Sequence, residues 1–182
     1  MAIYIAMLRG INVGGHNRIK MDQLRTSLEA LGLGQVKTYI QSGNVVFRAA
    51  KSSPAALAKK IENQILDQFG FSVSVLCRTA DEIAATIKNN PLLNQPSIAQ
   101  EKLHVAFLSD VPAAAALQKL AALTLAPDRS RALGKEVYLY FPNGVSNSSL
   151  WKHPLDRVLS VVTTTRNWKT VRTLHQMCLD CH

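Results

Sequence analysis

The stretch "VKTYIQSGNVVFR", residues 36–48, decides the fold because it has the pattern of a β-hairpin. Two runs rich in β-branched and aromatic residues flank the tripeptide Gln41-Ser42-Gly43. Glycine and asparagine tolerate the positive φ angles that tight hairpin turns require. The hairpin therefore provides two neighbouring antiparallel strands, to which the segments on either side can be added.

Helices and strands are predicted on both sides of this hairpin. Apolar residues at three- and four-residue spacing indicate two helices, and Gly32 and Gly70 follow them as residues that can end a helix. Continuous apolar runs indicate two further strands. In order, the predicted elements are strand 2–8, helix 21–31, strands 36–40 and 44–48, helix 54–69 and strand 71–78. This order is the split βαβ pattern of ferredoxin-like folds.

The rest of the chain begins the same pattern again. Thr79 indicates the start of a third helix that ends near Lys88, and "NNPLLNQPS" is a connector. Further elements are strand 102–109, an alanine-rich helix 110–123, a hairpin of strands 129–133 and 136–141, and a helix 166–177 with Thr165 as its N-cap. We therefore expect an α+β protein of two intertwined ferredoxin-like subdomains that share a core, with C-terminal helices. The expected ranges are 1–78, a helix and connector 79–100, and a second half 101–182 that is incomplete or rearranged.

The charge distribution favours an anionic partner. The 182 residues are 47% apolar, which suits a folded core, and they carry a formal charge of +9. Residues 1–48 contain six Lys/Arg against two Asp/Glu, and residues 129–182 contain eight against three, whereas residues 49–128 are balanced. No apolar run approaches the roughly 20 residues of a membrane-spanning helix, and no signal peptide is recognisable. We expect a cytoplasmic protein without a membrane partner, which three cysteines also fit.

The segment "LRGINVGGHNRIKM", residues 8–21, is the first candidate for a binding site. Its glycine spacing excludes both the P-loop pattern GxxxxGK[ST] and the dinucleotide pattern GxGxxG. Glycines still allow backbone N–H groups to converge on an anion, and the Arg and Lys side chains would add positive charge. The alternative is that the glycines serve only the turns of a solvated loop.

A second candidate is "TTTRNWKTVR", residues 163–172. A helix that begins here would offer backbone N–H groups to an anion, and Arg166 and Lys169 would strengthen that site. Trp168 either stacks on a base or packs in the core, and the usual burial of tryptophan favours the core.

The end of the chain, Cys178-x-x-Cys181-His182, matches the pattern of covalent c-type haem attachment. That attachment requires export, for which the sequence has no signal, and a zinc site usually combines two ligand pairs from separate turns. We therefore expect no haem, no metal site and no other cofactor.

Four segments together resemble the DUF1697 family of uncharacterised bacterial proteins. They are "MLRGINVGG" (7–15), "KMDQLR" (20–25), "TYIQSGNVVF" (38–47) and "TTRNWKTV" (164–171). The resemblance implies two intertwined ferredoxin-like subdomains, in agreement with the predicted order of elements, but it implies no activity. The terminal CxxCH is not part of the family pattern.

Two functions remain open from the sequence. The favoured one is a module that binds a phosphate-bearing ligand, a nucleotide or a nucleic acid, where the two basic ends of the chain meet. The alternative is a small metabolic enzyme of unknown reaction that uses polar residues around the same loop. No spacing places a nucleophile beside a base, so no catalytic residue is predicted. The candidate binding residues are Arg9, Asn12, Gly14, Gly15, His16, Asn17, Lys20, Gln41, Ser42, Asn44, Arg166, Asn167 and Lys169.

Overall fold

The computed structural model describes residues 1–181, which form two four-stranded antiparallel sheets and six α-helices. The predicted α+β fold of two ferredoxin-like subdomains is confirmed. None of the helices within residues 1–181 is both long enough and apolar enough to cross a membrane. The elements are β1 Ala2–Leu8, α1 Met21–Ala30, β2 Gly34–Tyr39, β3 Asn44–Ala49, α2 Pro54–Phe69, β4 Val75–Thr79, α3 Ala80–Lys88, β5 Leu103–Leu108, α4 Ala114–Leu123, β6 Arg129–Leu133, β7 Glu136–Tyr140, α5 Leu155–Leu159, β8 Thr163–Asn167 and α6 Trp168–Leu179.

The two sheets have the same topology. Their strand orders are β2-β3-β1-β4 and β6-β7-β5-β8, so the first strand of each half is central and pairs antiparallel with its neighbours. The expectation of an incomplete second half was wrong, because α5 and β8 complete it. The threonines of β8 have β-branched side chains that suit a strand, whereas the sequence predicts a helix 166–177 with Thr165 as its N-cap.

Two compact units make up the described chain. The first contains residues 1–85 and 173–181, and the second contains residues 86–172. Helix α6 therefore begins within the second unit and ends within the first. The sharing of one core by the two subdomains stays a prediction.

The core of the first unit lies between α1, α2 and one face of the first sheet. Side chains of β1 alternate, so that Tyr4, Ala6 and Leu8 belong to this core. Tyr4 stacks on Phe47 of β3 with ring centroids 5.9 Å apart, and its hydroxyl donates to the carbonyl of Ser52 at 2.9 Å. The side chain of Tyr4 thus fixes the central strand to β3 and to the segment that follows β3.

The core of the second unit is built in the same way. Ala106 and Leu108 of β5 pack with Val137 and Leu139 of β7 under α4 and α5. On β7, the hydroxyl of Tyr138 donates to the carbonyl of Thr86 at 3.0 Å, and burial raises the pKa of this phenol. The alternation along β5 and β7 repeats that of β1 and β3.

Two helix ends follow local sequence signals, and the start of a third helix differs from the prediction. Gly70 ends α2 with a φ of 77°, and Thr79 and Glu82 form a reciprocal capping box at α3. Helix α6, however, begins at Trp168, and the side chain of Asn167 accepts from the backbone N–H of Thr170 at 2.8 Å. The predicted N-cap Thr165 was wrong because residues 163–167 pair with β5 as a strand.

Candidate functional site

The loop of residues 9–20, between β1 and α1, is held by the side chain of Asn12. Its Oδ1 accepts from the backbone N–H of Ile19 at 2.9 Å, and its Nδ2 donates to the carbonyls of Ile19 at 2.9 Å and Gln41 at 2.8 Å. The backbone N–H of Asn12 also donates to the carbonyl of Asn17 at 3.1 Å. Asn12 therefore closes the loop on itself and joins it to the tip of the β2–β3 hairpin.

The glycines of this loop serve its backbone conformation. Gly14 and Gly15 have φ angles of 59° and 80°, which residues with a Cβ rarely adopt. Space is not the reason, since the nearest contacts of an added Cβ would be 3.9 Å and 3.8 Å away, at His16 and Arg18. The turn therefore explains both glycines, and convergence of their N–H groups on an anion stays a prediction.

The hairpin tip packs tightly against the loop. A Cβ on Gly43 would lie 2.7 Å from Cδ1 of Ile11 and 2.8 Å from Cβ of Leu8, and the backbone N–H of Leu8 donates to the carbonyl of Gly43 at 2.8 Å. Asn44 is fully buried, and its amide donates to the carbonyl of Tyr39 at 3.1 Å and to Oγ of Ser42 at 3.0 Å. Loop and tip are thus one structural element.

The basic side chains of the loop face outward. Arg9, Arg18 and Lys20 are exposed, and so are His16 and Gln41. The sequence contains no Asp or Glu before Asp22, so the whole first strand and the loop carry positive charge only. Among the predicted binding residues of this region, the asparagines maintain the structure, while the cations, His16 and Gln41 remain accessible to a ligand. Asn17 is intermediate, half-buried with its amide 3.4 Å from the carbonyl of Gly10.

The second predicted region, residues 163–172, is arranged differently from the prediction. Arg166 lies in β8 and is buried, where its guanidinium donates to Oγ1 of Thr164 at 2.9 Å and to the carbonyl of Thr165 at 3.0 Å. Burial lowers the pKa of Arg166 to about 10, which leaves it charged near neutral pH. Trp168 is 3% exposed, which confirms its packing in the core and rules out base stacking by this side chain.

Asn167 and Lys169 flank the start of α6. The side chain of Asn167 caps the helix, whereas Lys169 is exposed. These residues belong to the second unit and the loop of residues 9–20 belongs to the first. The meeting of the two regions in space stays a prediction.

The cysteines near the end of the chain are packed thiols. Cys178 and Cys181 are buried, and Sγ of Cys181 donates to Oε1 of Gln35 at 3.2 Å. Burial, together with the neighbouring Cys181, raises the pKa of Cys178 to about 12. His182, the last residue of the CxxCH pattern, lies outside the described residues. Within residues 1–181, the structure contains no group of three His, Cys, Asp or Glu that could hold a metal ion.

A cavity of about 410 Å³ lies between α1 and α2 and was not predicted. Periodicity along α1 could have indicated its polar side, because Gln23, Thr26, Ser27 and Ala30 recur at helical spacing. The cavity contains one acidic residue and none of the predicted binding residues. It is lined by Asp22, Gln23, Thr26, Ser27, Ala30, Gln68 and Phe69.

His104 is a half-buried histidine that is not among the predicted binding residues. His104 lies on β5, where burial lowers its pKa, and the carbonyl of Lys102 accepts from its Nδ1 at 3.3 Å. Its ring packs against Phe141 with centroids 5.5 Å apart. This environment indicates a packing role for His104.

Comparison with known proteins identifies the family. The profile described as "Protein of unknown function (DUF1697)" matches residues 1–138. The chain belongs to the DUF1697 family. The DUF1697 chain is also similar to a solved structure of a conserved bacterial protein from Streptococcus pneumoniae, with a TM-score of 0.72 and 28% identity over 97% of this chain and 98% of that chain. No curated protein matches the sequence.

Proposed function

We propose that the loop of residues 9–20 binds a phosphate-bearing ligand, a nucleotide or a nucleic acid. The observation that carries the proposal is the exposure of Arg9, Arg18 and Lys20 on a loop that the side chain of Asn12 holds in one conformation. A fixed loop presents its cations without the loss of conformational entropy that ordering a mobile loop on binding would cost. Arginine and lysine both form strong charge-assisted hydrogen bonds with phosphate oxygens.

Two further features support an anionic ligand. Helix α1 begins directly after Lys20, so the positive end of its dipole lies next to the loop cations. The formal charge of +9 would also raise the local concentration of a polyanion and speed its association. A cytoplasmic location, where such ligands are abundant, is part of the proposal, and so is a contribution of the exposed Lys169 to the same ligand.

The proposal is tested by measuring the binding of a fluorescein-labelled single-stranded oligonucleotide and of ATP at several salt concentrations. For a single strand, the logarithm of the affinity falls with the logarithm of salt by about 0.7 for each phosphate contact. We expect the double variant Arg18→Ala/Lys20→Ala to lose affinity for these ligands and to show a less steep salt dependence.

The matched control for this experiment is Lys59→Ala, which removes an exposed cation from α2 in the same unit. The melting temperatures of both variants should equal that of the parent protein, because all three side chains are exposed. Equal affinity of the parent protein, the double variant and the control would contradict the proposal.

A further inference from the structure

Two apolar side chains are exposed beside the loop cations. Val13 is 65% exposed and Ile40, at the tip of the β2–β3 hairpin, is 50% exposed. Val13 directly follows Asn12, and Ile40 directly precedes Gln41. The side chain of Asn12 donates to the carbonyl of Gln41 at 2.8 Å. The two apolar side chains therefore lie on adjoining segments of one rigid element.

Ile40 is held in a conformation that is unfavourable for it. Its φ is 50°, in the left-handed region where a β-branched residue is a genuine outlier. The peptide before Ile40 is held because Asn44 donates to the carbonyl of Tyr39, and the peptide after Gln41 is held because Asn12 donates to the carbonyl of Gln41. Asparagine or glycine would adopt this φ at less cost, so an exposed isoleucine here needs a reason outside the stability of the fold.

An aromatic ring and an amide complete the surface. His16 is exposed, and its backbone N–H donates to the carbonyl of Val13 at 3.1 Å, so the two residues pair across one tight turn. The side chain of Gln41 is exposed next to Ile40. We call the set Arg9, Val13, His16, Arg18, Lys20, Ile40 and Gln41 the loop-tip surface.

We propose that the loop-tip surface binds single-stranded nucleic acid, with bases packed on Val13, His16 and Ile40 and phosphates on the cations. This inference rests on the proposed function and names its ligand class. The three cations favour a ligand with several phosphates, and the apolar and imidazole groups favour one with exposed flat rings, which bases in a single strand provide and bases in a duplex do not.

Other anionic partners fit the surface less well. A mononucleotide would contact these outward-facing side chains on one side only, whereas a strand places several nucleotides along them. Anchoring to an anionic membrane typically uses Trp, Phe or Leu with flanking cations. The loop-tip surface instead combines Val13 and Ile40 with polar His16 and Gln41, and an amide can form hydrogen bonds with a base edge.

The decisive variant is Ile40→Asn, because asparagine suits the left-handed backbone. We expect it to keep or raise the melting temperature while lowering the affinity for a labelled ten-nucleotide single strand about fivefold. Its affinity for an abasic oligonucleotide of the same length should not change. Val13→Ser should behave similarly, and Leu66→Ser is the matched control, since Leu66 is 45% exposed on α2.

The same titrations separate this inference from the proposed function. Equal affinity of the parent protein for the normal and abasic strands, with no effect of Ile40→Asn, would overturn the inference and leave phosphate binding in place. Tighter binding to a duplex, or to phosphatidylserine vesicles, than to the single strand would also overturn it. If neither strand binds at low salt, the inference fails, and if ATP does not bind either, the proposed function fails with it.

Discussion

The two ferredoxin-like subdomains anchor their first strands identically and then diverge. At the end of β1, the N–H of Leu8 donates to the hairpin-tip carbonyl of Gly43 at 2.8 Å; at the end of β5, the N–H of Leu108 donates to that of Lys135 at 2.9 Å. The backbone N–H of the next residue donates to the carbonyl just before the edge strand β4 or β8. Arg9 donates to Ser74 and Ser109 donates to Val162, both at 2.9 Å. These two backbone hydrogen bonds at the strand end are thus common to both subdomains.

The connections to the following helix are what differ. In the first subdomain residues 9–20 form the basic loop, whereas in the second only residues 109–113 separate β5 from α4. There Nζ of Lys135 donates to the carbonyl of Ser109 at 3.1 Å and lies 4.0 Å from a carboxylate oxygen of Asp110. The short connection contains one acidic residue, Asp110, and no Lys or Arg, whereas the long one contains Arg9, Arg18 and Lys20 and no acidic residue. The exposed cations therefore belong to the loop of residues 9–20 and not to the hydrogen bonds that the two subdomains share.

The same comparison indicates a structural role for Arg166. Each subdomain has a buried arginine in its edge strand, Arg78 or Arg166, directly before the residue that caps the next helix. Because the same position is used in both halves, Arg166 requires no ligand to explain it. Strand pairing shows that the two arginines are equivalent. Across the first sheet the paired residues are Lys37, Val46, Ile5 and Arg78, and across the second they are Arg131, Tyr138, Val105 and Arg166.

The largest expected difference between the subdomains is at the hairpin tips. Gly43→Ala combines a strained φ with contacts of 2.7 Å to Ile11, and we expect it to lower the free energy of unfolding by about 3 kcal/mol, since each effect costs roughly 1–3 kcal/mol. Gly134→Ala, at the other tip, has the strained φ alone, because its Cβ would meet no atom of residues 1–181 within 4 Å. It should cost about 1 kcal/mol. Urea denaturation measures both, and equal costs would show that the tight packing of the first tip is unimportant.

The next largest effect is expected at Asn12, whose side chain holds the loop of residues 9–20. Asn12→Ala removes three side-chain hydrogen bonds, and we expect a loss of about 2 kcal/mol at roughly 1 kcal/mol or less per partly exposed bond. The matched change in the short connection, Asp110→Ala, removes only an exposed ion pair, and such pairs contribute about 0–1 kcal/mol. Hydrogen exchange of the Ile19 amide, which should be faster in Asn12→Ala, checks the cause. An unchanged rate would mean that the loop is held by other contacts.

The smallest effect is expected at His104, whose position in β5 corresponds to that of Tyr4 in β1. Burial lowers the pKa of His104, so the unfolded chain binds more protons than the folded protein below the ordinary pKa of about 6.5. The free energy of unfolding should therefore fall as the pH drops through 6.5, until the folded histidine is also protonated. In His104→Phe this contribution should be absent. Denaturation midpoints measured at pH 5 and pH 7 test the difference, and an identical pH dependence of parent and variant would contradict it.

Local signals in the sequence were enough for most elements. The β2–β3 hairpin, the end of α2 at Gly70 and the capping box of Thr79 and Glu82 depend on residues a few positions apart, whose preferences are visible in the sequence. Strand β8 was missed because its partner, β5, lies about 60 residues earlier, and threonine-rich segments occur at helix starts as well as in strands.

For the candidate site, the sequence identified the loop but not the direction of its side chains. Asn12 and Asn44 were predicted to contact a ligand, yet their amides donate to carbonyls of the hairpin and the loop. Ile40 was not among the predicted binding residues. The sequence by itself determined the basic charge of the loop and the order of strands and helices, because both follow from residue type and short-range periodicity. Only the tertiary structure decided which polar groups face inward and that an isoleucine stands exposed at positive φ. Those outcomes depend on contacts between segments that are distant in the chain.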